Sequence, residues 1–182
     1  TDTEIDYLAG RGVRITHNPL SNMRLASGVM RLGYMHAAGL KVGLGLDGGA
    51  NDTSDFFNLM RTAVGLQRAV FLDAGVYPGV ADVLRMATLG GAEVLGLDDK
   101  IGSLTPGKQA DVIIIDPREV NFAPNWNWVN QLVFNAQPRN VQYVLVAGKV
   151  LMEQGHIPGD HKKTVRAAEA AVAKVKERLK IE

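Results

Sequence analysis

Cysteine is absent from the 182 residues of the chain. That absence excludes disulfide frameworks, thiolate zinc sites and thiol nucleophiles, so any metal ion must be held by histidine, carboxylate or water. Histidine is scarce as well, and no two of the four form an HxH or HxxxH pair: His17, His36, His156 and His161. The last three fall inside a predicted helix or beside a Pro-Gly turn, and we expect them to be structural or solvated. The chain's own histidines therefore do not complete a metal site.

An excess of charge of one sign and long apolar runs are also missing. The 20 Lys and Arg residues balance 19 Asp and Glu residues, which excludes a strong field for nucleic acid or an anionic membrane. No run of about eighteen apolar residues and no export signal is visible. We expect a cytoplasmic protein that binds a small molecule, with no nucleic-acid or membrane partner. The chain begins without Met and directly in a predicted helix, which suggests a truncated, processed or split chain.

Apolar, β-rich segments alternate with helical segments in the first hundred residues. The pattern predicts strands over residues 13–16 and 41–47, a loop over 19–28 and helices over 29–38 and 79–95. A further helix follows residue 54, with Ser54 or Asp52 as its cap. Such alternation is typical of parallel α/β architecture, in which the strands are buried on both faces.

The character of the sequence changes after residue 100. Turn residues at 105–107 precede a β-branched strand at 111–115, and residues 142–154 have the pattern of a hairpin that pairs with it. Residues 161–179 carry apolar side chains at helical spacing and predict an amphipathic helix. We divide the chain into residues 1–100, a small β module at 101–158 and a C-terminal amphipathic helix at 159–182.

Polar side chains follow both predicted strands of the first part, where parallel α/β folds place their sites. Asp47 ends the second strand and is followed by two glycines, which leave its oxygens accessible. On residue type alone it is a turn-capping carboxylate. The other candidates are amide, hydroxyl, imidazole and carboxylate groups in the two following loops: His17, Asn18, Ser21, Asn22, Asn51 and Asp52.

Four segments, in order, resemble motifs of the amidohydrolase superfamily, in the branch of guanine, cytosine, 8-oxoguanine and S-adenosylhomocysteine deaminases and triazine hydrolases. THNPLSNMRLASGV resembles the branch's [HC]-x-P-x-S-N-x-x-L loop, and KVGLGLDGGANDTSD resembles its G-x-G-[TVL]-D-G strand end. ATLGGAEVLGLDDKIGSLTPGKQADVIIID and VQYVLVAGKVLMEQG resemble its later segment and closing hairpin. The similarity covers nearly the whole chain.

The resemblance implies an α/β fold in which residues 1–100 form the last part of a metal-dependent (β/α)8 TIM barrel and residues 101–158 form part of a flanking β-sandwich. It implies one divalent metal ion, with zinc favoured and iron as the alternative. Asp47 matches the family's metal ligand on strand eight, which also accepts the proton of the attacking water. The histidine ligands and a catalytic Glu lie on earlier strands, so we expect an N-terminal portion of the same enzyme as partner.

The function that the resemblance implies is hydrolytic deamination of an aminated heterocycle, namely a purine, pterin, pyrimidine or triazine, by a cytoplasmic homo-oligomer. His17, Asn18, Ser21 and Asn22 then either contact the substrate or hold their loop against strand eight. Asn51 and Asp52 either contact the ring or cap the next helix. Trp126 and Trp128 either cover a site or pack the barrel against the sandwich. The alternative is a non-catalytic α/β subunit or ligand-binding domain that lacks the metal histidines.

Overall fold

The computed structural model describes residues 1–48 and 53–181, so the predicted contacts of Asn51 and Asp52 lie outside the described residues. Helices and strands are mixed along the chain, and the α/β class is confirmed. The helices and strands, in chain order, are α1 (Asp2–Gly10), β1 (Arg14–His17), α2 (Pro19–Arg24), α3 (Leu32–Ala37), β2 (Lys41–Leu44), α4 (Phe56–Phe71), α5 (Val80–Ala87), α6 (Leu89–Leu95), β3 (Val112–Ile115), α7 (Trp128–Asn130), β4 (Val141–Val146), β5 (Lys149–Met152) and α8 (His161–Leu179).

Strands β1 and β2 form a two-stranded parallel sheet, with Arg14 opposite Lys41 and His17 opposite Leu44. Helix α6 lies against β2 at a close approach between glycines. A Cβ on Gly43 would meet the Cα atom of Gly91 at 3.0 Å. Glycine is needed on β2 because any side chain there would press on the helix backbone.

The segment predicted as a loop at 19–28 contains a helix, so that prediction is wrong for its first residues. Helix α2 spans Pro19–Arg24, so Pro19 lies in its first turn. Proline is well suited to the first turn of a helix because the N–H it lacks would have no intrahelical partner there.

Two further helix predictions are corrected. The helix expected over 79–95 is broken into α5 and α6 at Thr88, whose backbone angles of φ −122° and ψ −96° are not helical. Helix α4 is capped by Asp55 rather than Ser54, because the Asp55 side chain accepts hydrogen bonds from the N–H groups of Phe57 and Asn58 at 2.9 and 3.2 Å.

The core centres on α4, whose Leu59, Ala63 and Val64 are fully buried. Arg61 on the same helix donates to the Ala136 carbonyl at 2.8 Å and the Val133 carbonyl at 3.4 Å. These bonds join α4 to the π-helical turn Gln131–Asn135 that continues α7. A charged side chain thereby satisfies carbonyls at the end of a helical turn in which Gln131 and Val133 are buried.

The β module is an antiparallel sheet in the order β3, β4, β5, which confirms the predicted hairpin and its pairing with the preceding strand. The predicted C-terminal helix is confirmed as α8, and its apolar side chains are exposed. Trp126 is 92 % exposed and Trp128 is half exposed, so neither is buried between two layers of the described structure. Among residues 1–48 and 53–181, no helix has the length and apolar character that a bilayer crossing requires.

Candidate active site

The carboxyl ends of β1 and β2 lie side by side and continue together past the strands. The N–H of Gly45 donates to the His17 carbonyl at 3.0 Å, so the chain after β2 still follows β1. The sequence predicts a strand that continues to Asp47, but β2 ends at Leu44, three residues earlier. The Asp47 φ of 61° lies in the left-handed region, which turns the chain away from the sheet direction.

Two hydrogen bonds hold the Asp47 carboxylate. The Ser21 hydroxyl donates to Oδ2 at 2.6 Å, and the N–H of Gly48 donates to Oδ1 at 2.6 Å. The Ser21 hydroxyl, followed by the Gly48 N–H, holds the pKa of Asp47 below its usual range, because both donors favour the charged form. Ser21 is buried on α2 whereas Asp47 is exposed, so a buried donor holds an ionised carboxylate that is open to solvent.

Gly45 is a residue that sequence reasoning missed. A Cβ there would lie 2.5 Å from the Oδ1 atom of Asn18 and even closer to the Thr16 methyl group. Asn18 Oδ1 is buried and has no hydrogen-bond partner among the described residues. The available signal was a glycine inside an otherwise apolar strand, which marks a close approach. Gly45 therefore lets the β1 loop approach the β2 loop.

His17 is fully buried at the end of β1, and within the described part of the chain neither ring nitrogen has a hydrogen-bond partner. Burial lowers the pKa of His17 to about 4, because the charged form loses its hydration, so the ring is neutral near pH 7. Asn22 is half-buried on α2, and its N–H donates to the Asn18 carbonyl at 3.0 Å. Of the sequence candidates, Ser21 is therefore the one joined to Asp47 by a side-chain hydrogen bond in the described structure.

The Asp47 carboxylate fits the role of one ligand to a divalent cation. It is ionised and exposed, and each oxygen accepts one hydrogen bond while keeping a further lone pair. Over residues 1–48 and 53–181, no three His, Asp or Glu side chains lie together so as to hold a metal ion. The described residues thus offer one candidate carboxylate with its supports, and a metal site here would need further ligands from outside them.

Residues 1–151 match the amidohydrolase family, and the chain belongs to it. It is 44% identical over 153 residues to a 5-methylthioadenosine/S-adenosylhomocysteine deaminase of Desulforudis audaxviator, covering 84% of this chain and 35% of that protein. It is 40% identical over 176 residues to a 5'-deoxyadenosine deaminase of Methanothermobacter thermautotrophicus, covering 96% of this chain and 40% of that protein.

A solved structure of similar fold is an adenosine deaminase from Xanthomonas campestris with bound zinc. It superposes with a TM-score of 0.92 at 36% sequence identity, covering 97% of this chain and 40% of that one. The chain therefore spans well under half the length of the relatives that it matches.

Proposed function

We propose that residues 1–182 are the C-terminal part of a metal-dependent deaminase with a (β/α)8 barrel. In this arrangement β1 and β2 are the last two barrel strands, residues 101–158 are a β-sandwich segment and residues 159–182 are an appended helix. The parallel pairing of β1 with β2 and the family membership support this assignment. An N-terminal portion would close the barrel and supply the remaining ligands, because a barrel needs all its strands to close.

The reaction is the hydrolytic replacement of a ring amine by oxygen, in which water is consumed and ammonia leaves. When bound, a divalent ion, with zinc favoured over iron, lowers the pKa of water toward neutrality. Asp47 is the ligand that this chain contributes, and it accepts the proton given up by the attacking water. The two hydrogen bonds that lower its pKa keep the carboxylate ionised at neutral pH, so it has a lone pair with which to accept a proton, although they also make it a weaker base.

The proposed substrate is an aminated heterocycle of the adenosine type. The names of the two deaminase relatives, which both specify adenosine derivatives, support this class. His17, Asn18, Asn22, Asn51 and Asp52 stay predictions as substrate contacts. The cytoplasmic location and the homo-oligomeric state also stay predictions.

A single observation carries the proposal: the exposed Asp47 carboxylate at the joint end of two parallel strands, held ionised by Ser21 and Gly48. The experiment uses an assembled enzyme, meaning residues 1–182 joined to the N-terminal portion of the Methanothermobacter relative. We expect one zinc equivalent by metal analysis, ammonia release from adenosine derivatives, and loss of both on treatment with a chelator.

The deciding variant is Asp47→Asn, which keeps the shape of the side chain and removes its charge. We expect zinc uptake and ammonia release to fall by at least about 100-fold, because the variant loses a side chain that would bind the metal directly. Asp99→Asn is the matched control, because Asp99 is exposed in a turn, and it should change neither quantity. A folded assembled enzyme that takes up no metal and releases no ammonia from any aminated heterocycle would favour the non-catalytic alternative.

A further inference from the structure

We propose that Ser21 is a positioning residue that sets the orientation in which Asp47 meets the metal ion. This inference rests on the proposed function, because it assigns to Ser21 a role that acts through Asp47. It also separates Ser21 from the substrate contacts expected in the same loop. Three observations support it. The Ser21 hydroxyl is held rigidly, the Asp47 carboxylate has little packing of its own, and the two carboxylate oxygens accept from two different donors.

The donor is held rigidly. Ser21 is 2 % exposed and lies in helix α2, between the buried residues Pro19 and Leu20 and the rest of the helix. The adjoining backbone is also bonded, since the Leu25 N–H donates to the Ser21 carbonyl at 2.9 Å. The hydroxyl therefore occupies a defined place before any ligand binds, which is what orientation of a metal ligand requires.

The acceptor has little packing of its own. Asp47 is exposed, follows a strand that has already ended, and has a φ of 61°. Its Oδ1 atom is bonded to the N–H of Gly48, the next residue in the chain, which moves together with it. Among the residues that the structure describes, the bond from Ser21 is the one that ties the carboxylate to a separate element, across 26 residues of sequence.

The two bonds together fix the plane of the carboxylate. Ser21 holds Oδ2 and Gly48 holds Oδ1, so rotation about the last side-chain bond would break both. Each carboxylate oxygen can accept about two hydrogen bonds or metal contacts, so each keeps one free direction. The positions of Ser21 and Gly48 set those free directions, and a metal ion held by Asp47 would have to use one of them.

The test compares Ser21→Ala, Ser21→Cys and Ser21→Thr in the assembled enzyme with Ser27→Ala as matched control, because Ser27 is an exposed serine just after the helix that carries Ser21. Zinc affinity is measured by competition with a chromophoric chelator, and kcat and KM by ammonia release. We expect Ser21→Ala to weaken zinc binding by about 10- to 100-fold, as loss of a group that orients a metal ligand does, and to lower kcat once zinc is saturating, with KM unchanged.

Ser21→Thr keeps the hydroxyl and should restore zinc affinity to within a few-fold of the unaltered enzyme. Ser21→Cys keeps the volume but donates weakly, so it should lose affinity even if Ser21→Ala does not fold. Zinc affinity unchanged in both Ser21→Ala and Ser21→Cys, or a raised KM with unchanged zinc affinity, would overturn the proposal. If the unaltered assembled enzyme itself binds no zinc, the proposed function fails instead, so the two failures are distinguishable.

Discussion

Gly45→Ala is a small substitution that should disturb the proposed metal site by displacing the neighbouring segment after β1. The new Cβ would stand 2.5 Å from the Asn18 Oδ1 atom and still closer to the Thr16 methyl group, whereas ordinary contact begins at 3.4 Å. Both groups must therefore withdraw by roughly 1 Å. Overpacking of this kind costs about 1 to 3 kcal/mol of unfolding free energy.

The displacement has a functional side because Asn18 directly precedes helix α2, which carries Ser21. If the Asn18 backbone follows its side chain, a shift of roughly 1 Å would stretch the 2.6 Å bond between the Ser21 hydroxyl and Asp47 beyond hydrogen-bonding distance. We therefore expect zinc affinity to fall by about 10- to 100-fold, as for Ser21→Ala. Urea unfolding and chelator competition in the assembled enzyme measure the two effects separately.

Two companion variants sharpen this prediction. Gly65→Ala adds the same methyl group at an exposed position in the middle of α4, where nothing lies within 4 Å. It should stabilise the protein by about 0.5 to 1 kcal/mol, because alanine favours the helix over glycine. Thr16→Ser removes the methyl group that the Gly45→Ala side chain would strike, so the double variant should recover part of the loss. Unchanged stability and zinc affinity in Gly45→Ala, or a double variant no better than the single one, would refute the reasoning.

Three other predictions concern burial, packing and hydrogen bonding. Acidification from pH 6.5 to 4 should lower the unfolding free energy of the assembled enzyme by up to about 3 kcal/mol through His17, because His17 is protonated in the unfolded state but stays largely neutral in the folded state. The His17→Phe variant should lack this part of the pH dependence. Urea-unfolding free energies that vary with pH in the same way in both proteins would contradict this. Gly43→Ala should lower the unfolding free energy by about 1 to 3 kcal/mol, since the backbone of Gly91 has little room to yield; a thermal melt equal to that of the unaltered protein would argue against it. Arg61→Met should cost about 1 to 3 kcal/mol by leaving the Ala136 carbonyl without its donor, measured by urea unfolding, and Arg61→Lys should recover less than half; full stability in the Met variant would count against the role given to these bonds.

The sequence predicted elements well where periodicity and turn chemistry agreed. The hairpin around Ala147 and Gly148 and the helix α8 have the expected positions, because local pattern alone specifies them. Prediction was wrong where one residue type has two uses. Proline is common in loops and also at the start of a helix, and only the packing of α2 decides between the two at Pro19.

Thr88 shows a different limit. Apolar spacing continues through it, so the sequence predicts one helix, but the close approach of α6 to β2 at Gly90 and Gly91 requires a second helix axis. The bond between Ser21 and Asp47 was equally hidden, because it depends on the register of β1 with β2. The position of Asp47 after a strand identified it as a candidate, but no pattern in the neighbouring sequence indicates that Ser21 is its hydrogen-bond donor.

Because Ser21 and Asp47 are hydrogen-bonded, the segments that carry them should be inherited together from one parent gene. In a library recombined from related genes, a crossover between residues 21 and 47 would take the donor from one parent and the acceptor from the other, along with two loops shaped for different neighbours. Crossovers before residue 16 or after residue 48 keep the matched pair together with Gly45. Segments exchanged at those boundaries should yield active recombinants more often than segments of equal length joined inside the interval.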